Sequence, residues 1–179
     1  MKIALIIFLG ILIIIFAFYT YYGGFKKINI NTAEKGGEFI VYEEVTGDYK
    51  LSGAAMDRVY YSLINDSGIE TTKGFGIYYD NPRKVEKSKL RSEAGCIIEE
   101  KDLEKLSNLP ENFKTRKLPV KKYIVTEFPY KGKMSVMFSI MKVYPALNKF
   151  SKEKGFNEEG AVIEIYDVPN KKILYRKEI

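Results

Sequence analysis

The chain has 179 residues, 29 lysines and arginines against 23 aspartates and glutamates, a formal net charge of +6, and no histidine. The single cysteine, Cys96, excludes an internal disulfide, and the missing histidine excludes Ser-His and Cys-His nucleophiles and a His-ligated haem. The basic residues are scattered, with no stripe interleaved with aromatics, so no nucleic-acid partner is expected; they read as a solvated face and, second, as an attraction to anionic lipid.

The first segment is apolar. IALIIFLGILIIIFA (3–17) holds no charged or strongly polar residue, and FYTYY carries the uncharged run to Tyr22. About 20 helical residues cross the roughly 30 Å apolar core of a bilayer. Tyr19, Tyr21 and Tyr22 fall where an aromatic belt sits, and Lys26 and Lys27 come next. A cleaved signal peptide needs a small-residue site, which FAFYTYYGGF does not offer. Residues 1–22 are therefore expected to form an uncleaved anchor, making the protein single-pass in a membrane. The lysine bias leans towards a cytoplasmic placement of the C-terminal domain.

Residues 23–37, GGFKKININTAEKGG, have two glycine pairs and no hydrophobic period, so a flexible linker is expected there. Residues 38–179 are long enough for one domain with its own core.

That domain reads as two copies of strand–helix–strand–strand. In the first, EFIVYEEV alternates as a strand. LSGAAMDRVYYSLI sets Leu51, Ala55, Val59 and Leu63 on one helical face, and NDSG stops it. TKGFGIYYDNP and KLRSEAGCIIEE read as two further strands. In the second copy KKYIVTEF is a strand. A helix over 133–152 shows a narrow polar stripe of Ser135, Ser139, Lys142 and Lys149 among apolar residues, with Pro145 as a kink. AVIEIYDVP and KKILYRKEI close the chain as strands. Gly68 and Gly155 end the two helices 87 residues apart, and Pro82 and Pro169 close YYDNP and IYDVP at the same separation. The expected fold class is α+β: tandem repeats with a pseudo-two-fold axis behind one transmembrane helix. Duplication either builds a larger core or creates a groove between the repeats for a small ligand.

Glu164 is out of place in AVIEIYDVP, between Ile163 and Ile165. It shares a strand face with Val162 and Tyr166. An offset of 87 places Ile77 at the corresponding position of the first copy. Two readings stand. Glu164 either faces solvent from a one-sided strand, or it is a pocket carboxylate whose burial demands a cation or a hydroxyl partner. Cys96, in AGCII, reads as a small core residue.

GFGIYYDNP (74–82), LRSEAGCII (90–98) and EIYDVP (164–169) together resemble the GyrI-like small-molecule-binding domain family. The resemblance covers residues 38–179 and implies the paired strand–helix–strand–strand fold, which a distant haem-binding (SOUL-like) branch shares. It also implies that Glu164 stands at the family's pocket carboxylate, with Tyr166 completing the motif. The family includes effector domains of multidrug-responsive activators and hydrolases of strained small molecules. This chain lacks the tryptophan common in such pockets.

Taken together, the residues and the resemblance imply a membrane-anchored domain that binds a cationic, amphipathic small molecule between the repeats. Glu164, Tyr166, Tyr79 and Ile77 are the expected contacts, with no metal and no cofactor. The alternatives are a hydrolase using Glu164 and a membrane-tethered interaction adaptor.

Overall fold

A computed structural model describes residues 2–179, the side chains of residues 107 and 108 excepted. Helix α1 spans Lys2–Tyr21, and none of its residues is buried. Among the described residues it is the one helix long and apolar enough to cross a membrane.

The remainder is built on one antiparallel sheet. Its strands are β1 (Asn31–Lys35), β2 (Phe39–Thr46), β3 (Lys73–Tyr78), β4 (Arg91–Ile98), β5 (Lys114–Lys117), β6 (Lys121–Pro129), β7 (Val162–Asp167) and β8 (Lys172–Glu178). They lie in the order β1-β6-β8-β7-β3-β4-β2-β5. Helix α2 (Leu51–Ser67) joins β2 to β3, and helix α3 (Lys133–Lys154) joins β6 to β7. The element order β2-α2-β3-β4 is thus repeated as β6-α3-β7-β8, and β3 and β7 meet side by side at the centre of the sheet.

Both helices end as their sequences require. Gly68 and Gly155 adopt the left-handed conformation (φ 62° and 69°), which costs a glycine little, and their N–H groups bond back to carbonyls of the last turn. On α2, Ala55, Val59 and Leu63 are buried as their spacing predicts. Leu51 is half exposed, and Ser52 takes its place, its hydroxyl 3.1 Å from that of Ser92.

Helix α3 departs from the expected pattern in its first half, while Leu147 is buried and Lys149 exposed as expected. Ser135, Ser139, Val143, Leu147 and Ser151 are the buried stripe, while Met137, Ile140 and Met141 are exposed. Small hydroxyl residues let the helix lie close to the sheet, and each finds a local partner. Ser135 donates to the Gly132 carbonyl (2.7 Å) and Ser151 to that of Leu147 (3.0 Å). The Ser139 and Tyr175 hydroxyls are 2.6 Å apart. A serine so satisfied loses little by burial, so polarity alone does not mark the outer face.

The segment 23–37 is not a free linker. Asn31–Lys35 pair antiparallel with β6, Ala33 opposite Tyr123. Thr126 donates to the Asn29 carbonyl (2.7 Å). Backbone pairing with an edge strand needs no hydrophobic period, which is why composition hid this strand.

The sheet buries both faces. One carries the helices, with Ile124, Phe128 and Tyr175 of the sheet packed against Val143 and Leu147 of α3, and Val41 and Cys96 against Val59 and Leu63 of α2. A second cluster, including Ile40, Phe75, Ile77, Ile163 and Ile165, contains no helical residue.

Candidate functional site

Strand alternation decides what Glu164 meets. Ile163 and Ile165 belong to the helix-free cluster, whereas Val162 and Tyr166 pack with residues of α3. Glu164 therefore points towards the helices, and it is 2% exposed. The solvent-facing reading is excluded.

Each carboxylate oxygen accepts one phenol. Tyr144, from α3, donates to Oε1 at 2.7 Å, and Tyr166, two residues along β7, donates to Oε2 at 2.6 Å. Among the described residues, Glu164 takes part in no ion pair. Loss of water raises its pKa above the ordinary carboxylate value, and the two hydroxyls pull it part of the way back. Desolvation first, and then the nearby carboxylate charge, push the Tyr144 and Tyr166 phenols far above their usual range. They are neutral donors.

More tyrosines surround this core. Tyr49 and Tyr78 meet edge to face at 4.8 Å, Tyr130 and Tyr166 at 5.9 Å, and Tyr144 and Tyr175 at 6.2 Å. Across the central strand pair, Gly76 stands opposite Glu164 and Gly74 opposite Tyr166. The missing Cβ atoms make room for neighbouring side chains, Met56 over Gly74 and Tyr78 over Gly76. A Cβ at position 76 would come within 2.7 Å of the Tyr78 hydroxyl. The site is thus a buried carboxylate on a central strand beneath α3, fenced by phenols, with two glycines on the neighbouring strand.

Of the four residues expected here, the structure brings together two, Glu164 and Tyr166. Ile77 faces the other way, packed with Ile163 and Ile165. Tyr79 lies on that face too, donating to Glu93 (2.7 Å), which also accepts from Arg116 (2.5 Å). An offset read from the helix ends does not fix a strand's face; the cross-strand register does, since side chains alternate along each strand. The register pairs Glu164 with Gly76 instead. Sequence reasoning missed Tyr144, Tyr78 and Gly76. The glycines at 74 and 76 were a usable signal, because alternate glycines on a strand mark one bared face.

Two surface hollows open beside this region. One, of about 520 Å³, is lined by Lys26, Lys27, Asn31, Lys35 and Arg176 among others, and one of about 280 Å³ by Met56, Tyr60, Gly74 and Cys96 among others. The Cys96 thiol is buried and its pKa is pushed up to about 12 by desolvation, so it is not a nucleophile.

Residues 39–172 match the family model of the GyrI-like small molecule binding domain. Fold and match together define a small-molecule-binding domain, and the chain belongs to the GyrI-like family. Over 88 residues the chain is 33% identical to Testis-expressed protein 264 of Homo sapiens, a match covering 46% of this chain and 28% of that protein. The chain thus spans little more than a quarter of the length of the curated relatives it matches. Among solved structures, the EcmrR C-terminal domain is similar with a TM-score of 0.59 at 9% identity, over 84% of this chain and 96% of that one. SAV2435 bound to tetraphenylphosphonium is similar with a TM-score of 0.50 at 9% identity, over 85% and 94% of the two chains. At these identities the likeness is one of fold.

Proposed function

We propose that this chain is a membrane-anchored module that binds a cationic, amphipathic small molecule between α2 and α3, with Glu164 as the charge partner. The observation that carries the reading is the Glu164 carboxylate, buried and hydrogen-bonded by two phenols, with no basic partner among the described residues. A bound cation replaces hydroxyl dipoles with a full opposite charge, which lowers the cost of keeping the carboxylate ionised. The rings of Tyr78, Tyr144 and Tyr166 supply apolar area and cation–π attraction. For the ligand to reach the carboxylate, the Tyr144 and Tyr166 hydroxyls swing aside, and both rings are half-buried. Tyr78 and Tyr144 take the places first expected for Tyr79 and Ile77. Helix α1 is the anchor, and the lysines after it favour a cytoplasmic domain.

The test is thermal melting of the full chain in detergent with tetraphenylphosphonium and with uncharged triphenylphosphine oxide. A ligand that binds the native state alone raises the midpoint by mass action. Wild type should respond to the cation, and Glu164→Gln should not. Equal cation shifts in both proteins would remove Glu164 from the role. No shift in either, with an unaffected partner pull-down, would favour the adaptor.

One contact favours a second reading. A carboxylate hydrogen-bonded to a helix-borne phenol at 2.7 Å is a proton-transfer pair, as hydrolysis of a reactive electrophile would need. In that case Glu164 takes a proton from water as its oxygen bonds to the electrophile and the strained bond breaks, Tyr144 gives its proton to the leaving atom, and the proton on Glu164 then returns to the Tyr144 phenolate along their hydrogen bond. Turnover of a strained electrophile that vanishes in Tyr144→Phe while tetraphenylphosphonium binding survives would establish it. No turnover across a broad panel leaves binding alone.

A further inference from the structure

The first three turns of α3 carry KMSVMFSIMK (133–142). Ser135 and Ser139 face the sheet, Val136 and Phe138 pack at the sides, and Met137, Ile140 and Met141 are turned outward. Met137, Ile140 and Met141 are 46%, 48% and 65% exposed, and their spacing of three and four residues places them in one patch. Apolar surface gathered on one helical face is ordinarily covered by something.

The neighbouring contacts name the cover. Phe138, beside the patch, packs against the last turn of α1: its ring lies 5.4 Å from Tyr19 and 6.4 Å from Phe18 and from Tyr22. Phe25 folds back onto Phe16 (5.4 Å) and Tyr19 (4.9 Å). Lys131 donates to the Tyr21 carbonyl (2.9 Å) and stands 4.1 Å over the Tyr21 ring. Lys142 donates to the carbonyls of Gly24 and, at 2.7 Å, Lys26. The start of α3 is therefore fastened at the level where α1 ends. A 20-residue apolar helix ends where hydrocarbon gives way to headgroups. The exposed lysines around this junction, Lys26, Lys27, Lys131 and Lys133, suit anionic headgroups. Glu127, on nearby β6, is occupied by Lys172 (2.8 Å).

We propose that the N-terminal half of α3 lies on the surface of an anionic bilayer, the same bilayer that α1 enters, with Met137, Ile140 and Met141 in contact with lipid. This rests on the anchor reading above. An interfacial helix buries its apolar face at the headgroup–acyl boundary and leaves its lysines among the phosphates. The lipid-facing patch is one turn from Tyr144, which donates to Glu164. A lipid-partitioned amphiphile thus meets the helix that forms one wall of the site.

The chain has no tryptophan, so one introduced indole is the sole reporter. Full-length Met141→Trp and, as a second reporter, Ile140→Trp would be reconstituted in phosphatidylcholine–phosphatidylserine vesicles with brominated acyl chains. Phe16→Trp reports on the anchor. The expected result is strong quenching at all three positions. In phosphatidylcholine alone, quenching at 140 and 141 should fall about two-fold, with position 16 unchanged. Quenching at 16 with water-like, unquenched emission at both 140 and 141 would overturn the inference and leave the anchor standing. Blue-shifted but unquenched emission at those positions would overturn it in favour of a second copy covering the patch. No quenching at 16 would overturn the anchor reading and this inference together.

Discussion

Tyr144 and Glu164 are 20 residues apart, one on a helix and one on a central strand, and the phenol donates to the carboxylate at 2.7 Å. That bond ties α3 to the middle of the sheet at the most buried charge-bearing group of the site. Tyr166 supplies the matching donor to the other oxygen. Four consequences can be measured.

The first concerns pH. A carboxyl whose pKa is raised on folding holds its proton more tightly in the native state. The unfolded chain then binds fewer protons, and stability falls as pH rises from about the ordinary value of 4.5 through the folded value. Glu38 and Asp167, held low by Arg176 and by Asn170 with Lys73 despite desolvation, act in the opposite sense and at lower pH. With no histidine in the chain, the contribution of Glu164 just above 4.5 is read as the difference between wild type and Glu164→Gln. Denaturant titrations of wild type should show stability declining through this window, and Glu164→Gln should flatten the decline. An unchanged slope in the variant would contradict the assignment.

Removing a donor should have the reverse effect on the same curve. Tyr144→Phe leaves one carboxylate oxygen unsatisfied and should cost about 1–3 kcal/mol at neutral pH, less at low pH where the carboxyl is protonated. The decline should also shift to higher pH, because one interaction that favoured the charged form is gone. Tyr166→Phe should behave alike. A cost independent of pH would mean that the phenols matter only as packing.

Two glycines should differ sharply. A Cβ on Gly76 meets the tip of Tyr78, a side chain that can turn away, whereas a Cβ on Gly95 meets the Val41 carbonyl, which is fixed in the sheet. Gly76→Ala should therefore cost less than about 1 kcal/mol, and Gly95→Ala about 2–3 kcal/mol or more. Melting curves of the two variants decide it, and equal costs would refute the placement of Tyr78.

Ser139 offers a check on the buried face of the first half of α3. Its hydroxyl lies 2.6 Å from that of Tyr175, in the core under the helix. Ser139→Ala should destabilise by about 1–2 kcal/mol by orphaning a buried phenol. Ser139→Lys, harmless on an outer face, should prevent folding. A well-folded lysine variant would restore the face first expected from polarity.

Much of this architecture was legible in the residues. The α2 and β7 periods, the glycine-ended helices and the repeated element order derive from short-range rules, and the structure keeps them. What misled was parity and satisfaction. An 87-residue offset aligned the helix ends but carries no strand register, and the observed pairing sets Gly76 opposite Glu164 and leaves Ile77 and Tyr79 on the other face. The serines of α3 looked like an outer stripe because their hydroxyl partners lie in local carbonyls and in Tyr175, which no periodicity records. Strand β1 was hidden because edge pairing leaves no hydrophobic alternation. Glu164, by contrast, was visible at once, since an acid between two isoleucines contradicts the pattern around it.

The most direct test of the central claim is a tetraphenylphosphonium binding isotherm on the full chain, wild type against Glu164→Gln, corrected for uptake by protein-free micelles. A buried carboxylate that pairs with the cation predicts saturable binding by wild type and an affinity at least about tenfold weaker in the variant, the loss of roughly 1.4 kcal/mol or more of charge pairing. Saturable binding of equal strength in both proteins would show that Glu164 is not what recognises the cation.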